Sequence, residues 1–330
     1  METSSFDDRV AFFEGNSMGQ HLPVQVDDAC MMWSAGTAAN VGAVPRPADL
    51  SNLDPSELPG VMEHELIGEG GFGKVYKCTV AGFPDRVALK VPKIAMSLEA
   101  CREARILEKI DHPNIVKFHC TVGRGPFGLV MELCAGGTLH ELLHVASKQW
   151  AAPVGLGPRL QAALDVVAAV AYIHALGIVH RDVKSTNALL SQPPDADSAE
   201  ARLPCVKLSD MGLAKFATPD MMTNNIGTIA YMAPEVGADE TYGSSADVYS
   251  CAILLHETAS GEMPYGTSVA DPRLVIDIMQ GKRPPLDRLP PGPLGQELQA
   301  LLEVSWSGEP EERITAAELA ERLERLLPGR

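Results

Sequence analysis

The chain has 330 residues, 45% of them apolar, and 43 acidic against 27 basic side chains give it a formal charge of −16 at pH 7. That length can bury one large core or two lobes, and the acid excess argues against broad electrostatic binding to nucleic acid or to an anionic membrane surface. Seven cysteines, an odd number without a CxxC pair, suggest neither a disulfide framework nor a cysteine zinc site and fit a reducing, cytoplasmic compartment.

Residues 1–60 carry nine acids and two bases in small, Gly- and Pro-containing stretches without sustained periodicity, the pattern of a flexible acidic extension. Within it only FDDRVAFF has the spacing of a short amphipathic helix. The first ten residues, METSSFDDRV, carry acids where a secretory signal carries positive charge. The longest apolar run, LQAALDVVAAVAYIHALGIV, is interrupted by Asp165 and His174, so no membrane span is expected.

From Val61 the texture changes. VMEHELIGEG, GKVYKCTV and RVALKVP alternate and are rich in β-formers, with turn residues between them, which predicts consecutive antiparallel strands. SLEACREARILEKI then predicts a helix on which Glu103, Leu107 and Ile110 share one face. HPNIVKFHCTV and FGLVMEL add two strands, giving five strands and one helix by residue 134. Beyond it the pattern is helical: TLHELLHVAS, residues 159–176, residues 245–260, LVIDIMQ, LGQELQALLEVSW and TAAELAERLERLL. The polar, Pro-rich SQPPDADSAEARLPC interrupts this part as an enlarged turn between two short strands. The expected organisation is α+β: an extension over 1–60, a strand-rich lobe over 61–134 and a larger helical lobe over 135–330.

Three groups of residues carry chemistry. In GEGGFGKV, Gly68, Gly70 and Gly73 let backbone N–H groups approach phosphates without obstruction by side chains. A dinucleotide fold needs a helix directly after such glycines, whereas KVYKCTV predicts a second strand and hence a hairpin over a nucleotide. Lys90, at the end of VALK, is a strand lysine that Glu103 can hold towards the α- and β-phosphates if the helix packs on the sheet; Glu99 and Glu108 are alternative partners. HRDVKSTN and the later DMG supply what phosphoryl transfer needs. Asp182 would orient an attacking hydroxyl, Lys184 would neutralise the transferring phosphoryl group, and Asn187 and Asp210 would offer oxygen ligands to a metal ion.

In their order and spacing, the glycine loop, VALK, HRDVKSTN, DMG and MAPE (Met232 to Glu235) resemble a eukaryotic protein kinase over roughly Val61 to Leu327. The resemblance implies a two-lobed protein kinase fold, with a five-stranded antiparallel N-lobe and one helix, a mainly helical C-lobe, and ATP with Mg²⁺, or Mn²⁺ in its place, in the cleft. It places the adenine against the hinge backbone of Glu132 and Cys134, between Val75 and Ala88 above and Leu189 below, with Met131 as gatekeeper. Asp247 corresponds to the buried acid that anchors the catalytic loop, and Glu235 would pair with Arg313. Leu107, His180 and Met211 match three members of the regulatory spine, with Met211 standing where the family usually has Phe.

Lys184 after HRD and Thr228 in GTIAYMAPE follow the serine/threonine pattern, and HPNIV, DVYS and SWSGEPEERIT resemble the tyrosine-kinase-like branch. Protein substrates carrying Ser or Thr, and an upstream activating kinase, are the implied partners. Arg181 beside Asp182 suggests control by phosphorylation of the activation loop, at Thr223 first and Thr218 second, with Thr228 bonding to Asp182 and Lys184 instead.

A pseudokinase scaffold would lack a catalytic position, and none is missing. Small-molecule kinases of related fold should lack GTIAYMAPE and the Glu235–Arg313 pair. His140 and His144 have a metal-binding spacing, yet no carboxylate or cysteine completes a site, which predicts a solvated face. Cys78 and Cys134 are expected to be small buried side chains rather than reactive thiols, and Trp306 is expected in the core.

Overall fold

The computed structural model describes residues 53–70, 73–93, 98–123, 128–145, 154–194, 203–211, 214–216, 229–238, 242–266 and 273–327. Residues 1–52 with FDDRVAFF, the middle of the Pro-rich turn, and Thr218, Thr223 and Thr228 lie outside them. The described residues belong to one compact unit, Pro47–Leu327.

The first half is the expected sheet. Strands β1 (Val61–Glu69), β2 (Gly73–Val80), β3 (Val87–Pro92), β4 (Phe118–Val122) and β5 (Gly128–Met131) are ordered β1-β2-β3-β5-β4, every neighbouring pair antiparallel. The glycine loop therefore joins two strands and opens no helix. Alternation on β2 turns Tyr76, Cys78 and Val80 inward, where they meet Val87, Leu89, Val91 and Val130. Leu58 is 2% exposed in the same cluster, so residues 53–60, grouped with the extension by composition, pack onto the lobe. A turn over Pro55–Glu57 sets its entry, capped by Asp54 Oδ1 accepting from Ser56 N at 2.9 Å.

Helix α1 (Leu98–Leu107) lies between β3 and β4 and buries Ile106 and Leu107. The segment after it is tied to the second half: Val116 N donates to Leu208 O at 3.0 Å, and Leu208 N donates to Asn114 O at 2.8 Å. These bonds fix the small lobe's helix relative to the strand that leads into Asp210.

The second half contains α2 (Leu139–His144), α3 (Leu156–Ala175), α4 (Pro234–Gly237), α5 (Ser244–Ser260), α6 (Arg273–Met279), α7 (Pro293–Ser305) and α8 (Ala316–Leu326). Two short antiparallel pairs sit among them: β6 (Ile178–Val179) with β9 (Lys215–Phe216), and β7 (Ala188–Leu190) with β8 (Val206–Leu208). By length and composition, α3 is apolar enough to cross a membrane, but its Leu160, Val166, Val167, Val170 and Ile173 are buried among the other helices. Trp306 is in the core, as expected.

Helix α5 is buried on almost every face from Ala246 to Ala259 and lies at the centre of the lobe. It also buries Asp247, His256 and Glu257, which require partners at that depth.

Candidate active site

On β3, Ala88 and Lys90 point to the same face of the sheet, Lys90 opposite Val75 and Leu129 and Ala88 opposite Met131. Lys90 Nζ lies 2.7 Å from Glu103 Oε1 and 2.9 Å from Asp210 Oδ1. Thus α1 packs on the sheet with Glu103 on the lysine. Burial alone would lower the Lys90 pKa, but the charges and hydrogen bonds of Glu103 and Asp210 hold it above the ordinary lysine value. Burial raises Glu103, Lys90 opposes this, and the charge of Asp210 adds to the rise, because two carboxylates share one ammonium.

The glycines divide by cause. A Cβ on Gly73 would meet Val91 O at 2.3 Å, so the close approach of β3 requires that glycine. A Cβ on Gly70 would meet nothing within 4 Å, and one on Gly68 only Val75 Cβ at 4.0 Å. No crowding by the protein demands the latter two, which leaves room for a ligand as their reason.

The loop around Asp182 is built from α5 outward. Asp247 accepts from His180 N at 2.7 Å, Arg181 N at 2.8 Å and His174 Nε2 at 2.8 Å. Burial would raise its carboxyl, but the bonds and charge from His174, the charge of His180 and the Arg181 N–H bring it below the ordinary carboxylate value. With the backbone so held, Arg181 sits at φ +74°, a strained conformation for a residue with a side chain. His180 Nδ1 accepts from Asp182 N at 3.2 Å, while Nε2 donates to Ser209 O at 3.1 Å, linking HRD to the residue before Asp210.

Asp182 Oδ2 lies 2.7 Å from Lys184 Nζ and accepts from Asn187 Nδ2 at 2.9 Å. The same amide nitrogen also donates to Asp182 O at 2.8 Å, which leaves the Asn187 amide oxygen as that group's acceptor. Ser209 N and Oγ donate to Asn187 O at 2.8 and 2.9 Å, drawing β8 to the loop, and Asp210 follows at φ +63°. Three carboxylates, two ammonium groups and an amide thus converge. The atoms that Asn187 and Asp210 would offer a metal are all oxygen, which suits a hard divalent cation.

A family model described as the protein kinase domain matches residues 61–323. The chain belongs to the protein kinase family. The kinase is 31% identical over 311 residues to human mitogen-activated protein kinase kinase kinase 11, covering 86% of this chain and 33% of that protein. It is 32% identical over 265 residues to the Arabidopsis thaliana serine/threonine-protein kinase STY17, covering 78% of this chain and 43% of that one. Serine/threonine-protein kinase PknJ of Mycobacterium tuberculosis is 30% identical over 277 residues, with 79% and 44% covered. The chain thus spans less than half the length of these curated relatives. Its motifs and relatives place the kinase domain with the serine/threonine type, in the tyrosine-kinase-like branch.

The segment expected as the hinge follows Met131, and among the described residues its Glu132 carbonyl and Cys134 N–H have no hydrogen-bond partner. Above them Ala88 is 7% exposed, whereas Val75 and Leu189 are only partly buried and retain surface for a ligand. The Cys134 thiol is pushed up to about 12 by burial and by the neighbouring Glu132 charge, and burial also raises Cys78, so neither has the lowered pKa of a reactive thiol; Cys78 is buried as expected, whereas Cys134 is only partly so.

Met211 is 1% exposed in the core that contains Leu107, with His180 also fully buried. Together with the Lys90–Glu103 contact, this is the arrangement with α1 inward. Glu235 and Arg313 form a bidentate pair at 2.7 and 2.8 Å, and Arg313 stacks over Tyr249 at 5.2 Å.

The sequence reading did not identify His174 as a partner of Asp247. It also missed Glu257, which accepts from Ser185 Oγ at 2.8 Å and Tyr231 OH at 2.6 Å, tying the catalytic loop to GTIAYMAPE. The expectation of a solvated His140–His144 face needs correction as well: His144 Nε2 is 2.8 Å from Glu257 Oε1 and only 13% exposed. The carboxylate that sequence proximity did not supply comes from α5.

Proposed function

We propose that the protein transfers the γ-phosphate of ATP to serine and threonine hydroxyls of protein substrates, with Mg²⁺, or Mn²⁺ in its place, as the divalent ion. The observation that carries this reading is Lys90 held between Glu103 and Asp210 at 2.7 and 2.9 Å, in the same fold as the Asp182–Lys184–Asn187 cluster.

Each residue has a role in that reaction. Gly68, Gly70 and Gly73 bring backbone N–H groups to the phosphates, and Lys90, positioned by Glu103, contacts the α- and β-phosphates. The adenine lies between Val75, Ala88 and Leu189 and bonds to the Glu132 carbonyl and the Cys134 N–H. Asn187 and Asp210 would hold the divalent ion, which would supply neutralisation of phosphate charge. Asp182 accepts the proton of the substrate hydroxyl, whose oxygen forms the new bond to phosphorus as the bond to the ADP oxygen breaks. Lys184, 2.7 Å from Asp182, balances charge on the transferring group.

Control by phosphorylation of the activation loop belongs to the same proposal. Arg181 Nε donates to Tyr242 OH at 2.6 Å, while its buried Nη1 and Nη2 have no partner among the described residues. A phosphate on Thr223, or secondarily Thr218, would satisfy that guanidinium and order the loop, through an upstream kinase or the chain itself. A reducing, cytoplasmic location is part of the same proposal and rests on an odd number of cysteines without a CxxC pair.

Incubation with labelled Mg·ATP and a generic basic protein, followed by phosphoamino-acid analysis, tests the reading. Phosphoserine and phosphothreonine, with label in the kinase itself mapping to Thr223, are expected. Phosphotyrosine alone contradicts the specificity, and active protein with an unmodified loop contradicts the control.

A further inference from the structure

His140 and His144 stand one turn apart on α2, and Glu257 rises from α5 beneath them. His144 Nε2 and His140 Nδ1 lie 2.8 and 4.0 Å from Glu257 Oε1, and the ligating atoms of the three residues all fall within 4.8 Å of one another. The rings are 5.0 Å apart with their planes at 53°, so they are not stacked face to face. Glu257 is wholly buried, whereas His140 is 30% exposed, which opens the cluster to solvent on one side.

We propose that His140, His144 and Glu257 form a zinc site, separate from the divalent-ion ligands of the nucleotide cleft. Two imidazole nitrogens and one carboxylate are a donor set that binds zinc with a fourth position left to water. Imidazole favours zinc over Mg²⁺, which prefers oxygen ligands, so the two sites select different ions. Zinc ligands at about 2.0–2.2 Å in tetrahedral geometry stand roughly 3.3–3.6 Å apart. From the present spacing the 4.0 Å His140–Glu257 separation must shorten by roughly 0.5 Å, which rotation of the partly exposed His140 ring supplies, and the 2.8 Å His144–Glu257 contact must open by about as much as zinc enters between them.

The carboxylate is already oriented. Tyr231 OH donates to its Oε2 at 2.6 Å and Ser185 Oγ to its Oε1 at 2.8 Å, the kind of outer contact that sets a ligand's direction. Imidazole binds a metal only through a deprotonated nitrogen, so zinc binding is expected to weaken in acid. Since Ser185 follows Lys184, the site touches the catalytic loop, yet the inference stands on ligand geometry and not on the phosphotransfer reading.

Calorimetric titration of the purified protein with Zn²⁺ alone, combined with zinc X-ray absorption on the loaded sample, tests it. His140→Asn removes the most exposed ligand and preserves the fold, which circular dichroism verifies; His140→Asn/His144→Gln removes both imidazoles. The expected result is a zinc ion bound by nitrogen and oxygen at about 2.0–2.2 Å. Both variants should bind it more weakly by at least the roughly 10- to 100-fold that loss of an outer contact costs. Unchanged affinity in the variants, or sulfur neighbours at about 2.3 Å, overturns the proposal and assigns the metal to thiols.

Discussion

Lys90 is where local chemistry and long-range folding meet, because its ammonium serves two buried or half-buried carboxylates from distant parts of the chain. Removing the cation leaves Glu103 buried without its partner, at a cost on the order of 3–5 kcal/mol. Lys90→Met is therefore expected to abolish transfer and to lower the denaturation midpoint. Lys90→Met/Glu103→Leu should regain much of the stability and none of the activity, and chemical denaturation beside a kinase assay separates the two effects. The Lys90–Glu103 partnership was legible only as a condition: helical spacing puts Glu103 on the face of Leu107, but whether that face meets the sheet, and whether Glu99 or Glu108 serves instead, is decided by packing. The second carboxylate on Lys90 was not legible, since Asp210 lies 120 residues away and only the fold brings it near. Likewise, the pair His140 and His144 was visible as a spacing, but Glu257 lies 113 residues beyond His144 on another helix.

Among elements, α5 organises the C-lobe: from one buried helix, Asp247 holds the catalytic-loop backbone and Glu257 holds Ser185 and Tyr231. His256 lies next to Glu257 on the same helix. It is 1% exposed and bonds through Nε2 to Pro285 O at 3.0 Å, while its buried Nδ1 has no partner among the described residues. Burial lowers its pKa below the ordinary histidine value of 6.5, against weaker opposing effects from Pro285 and nearby acids. Below pH 6.5 the unfolded chain takes up the proton first, so the stability this group contributes is full above 6.5 and declines as the pH falls towards its folded value. Urea midpoints at pH 7.5 and 5.5 should therefore fall further for the wild type than for His256→Leu; equal falls would contradict this. The helix itself was legible as a long apolar stretch. Its buried acids were harder to assign, because a sequence shows a polar residue's position on a helix but not the loop that comes to meet it. Asp247 was assigned through family resemblance alone.

For the whole molecule, the transition from alternating to helical patterning near residue 134 was enough to expect two lobes, since periods of two and of 3.6 residues leave different marks. The antiparallel β1–β2 pairing excludes a dinucleotide-binding unit, which the glycines alone would have allowed. Residues 53–60 were harder to place: a Pro- and acid-rich segment has the composition of a tail, and only the burial of Leu58 shows that it belongs to the lobe. The replacement of Phe by Met at position 211 left the state of the domain open at the sequence level. The structure has Met211 buried and Glu103 on Lys90 together, as a flexible thioether can fill the space available to it.

In the proposed mechanism the cluster around Asp182 performs phosphoryl transfer. The most direct test compares wild type and Asp182→Asn for single-turnover transfer of γ-phosphate from Mg·ATP, with nucleotide affinity measured on the same samples. Loss of the proton acceptor at unchanged ATP affinity should slow transfer by about 10²- to 10⁴-fold. Transfer at the wild-type rate by the variant would contradict the account.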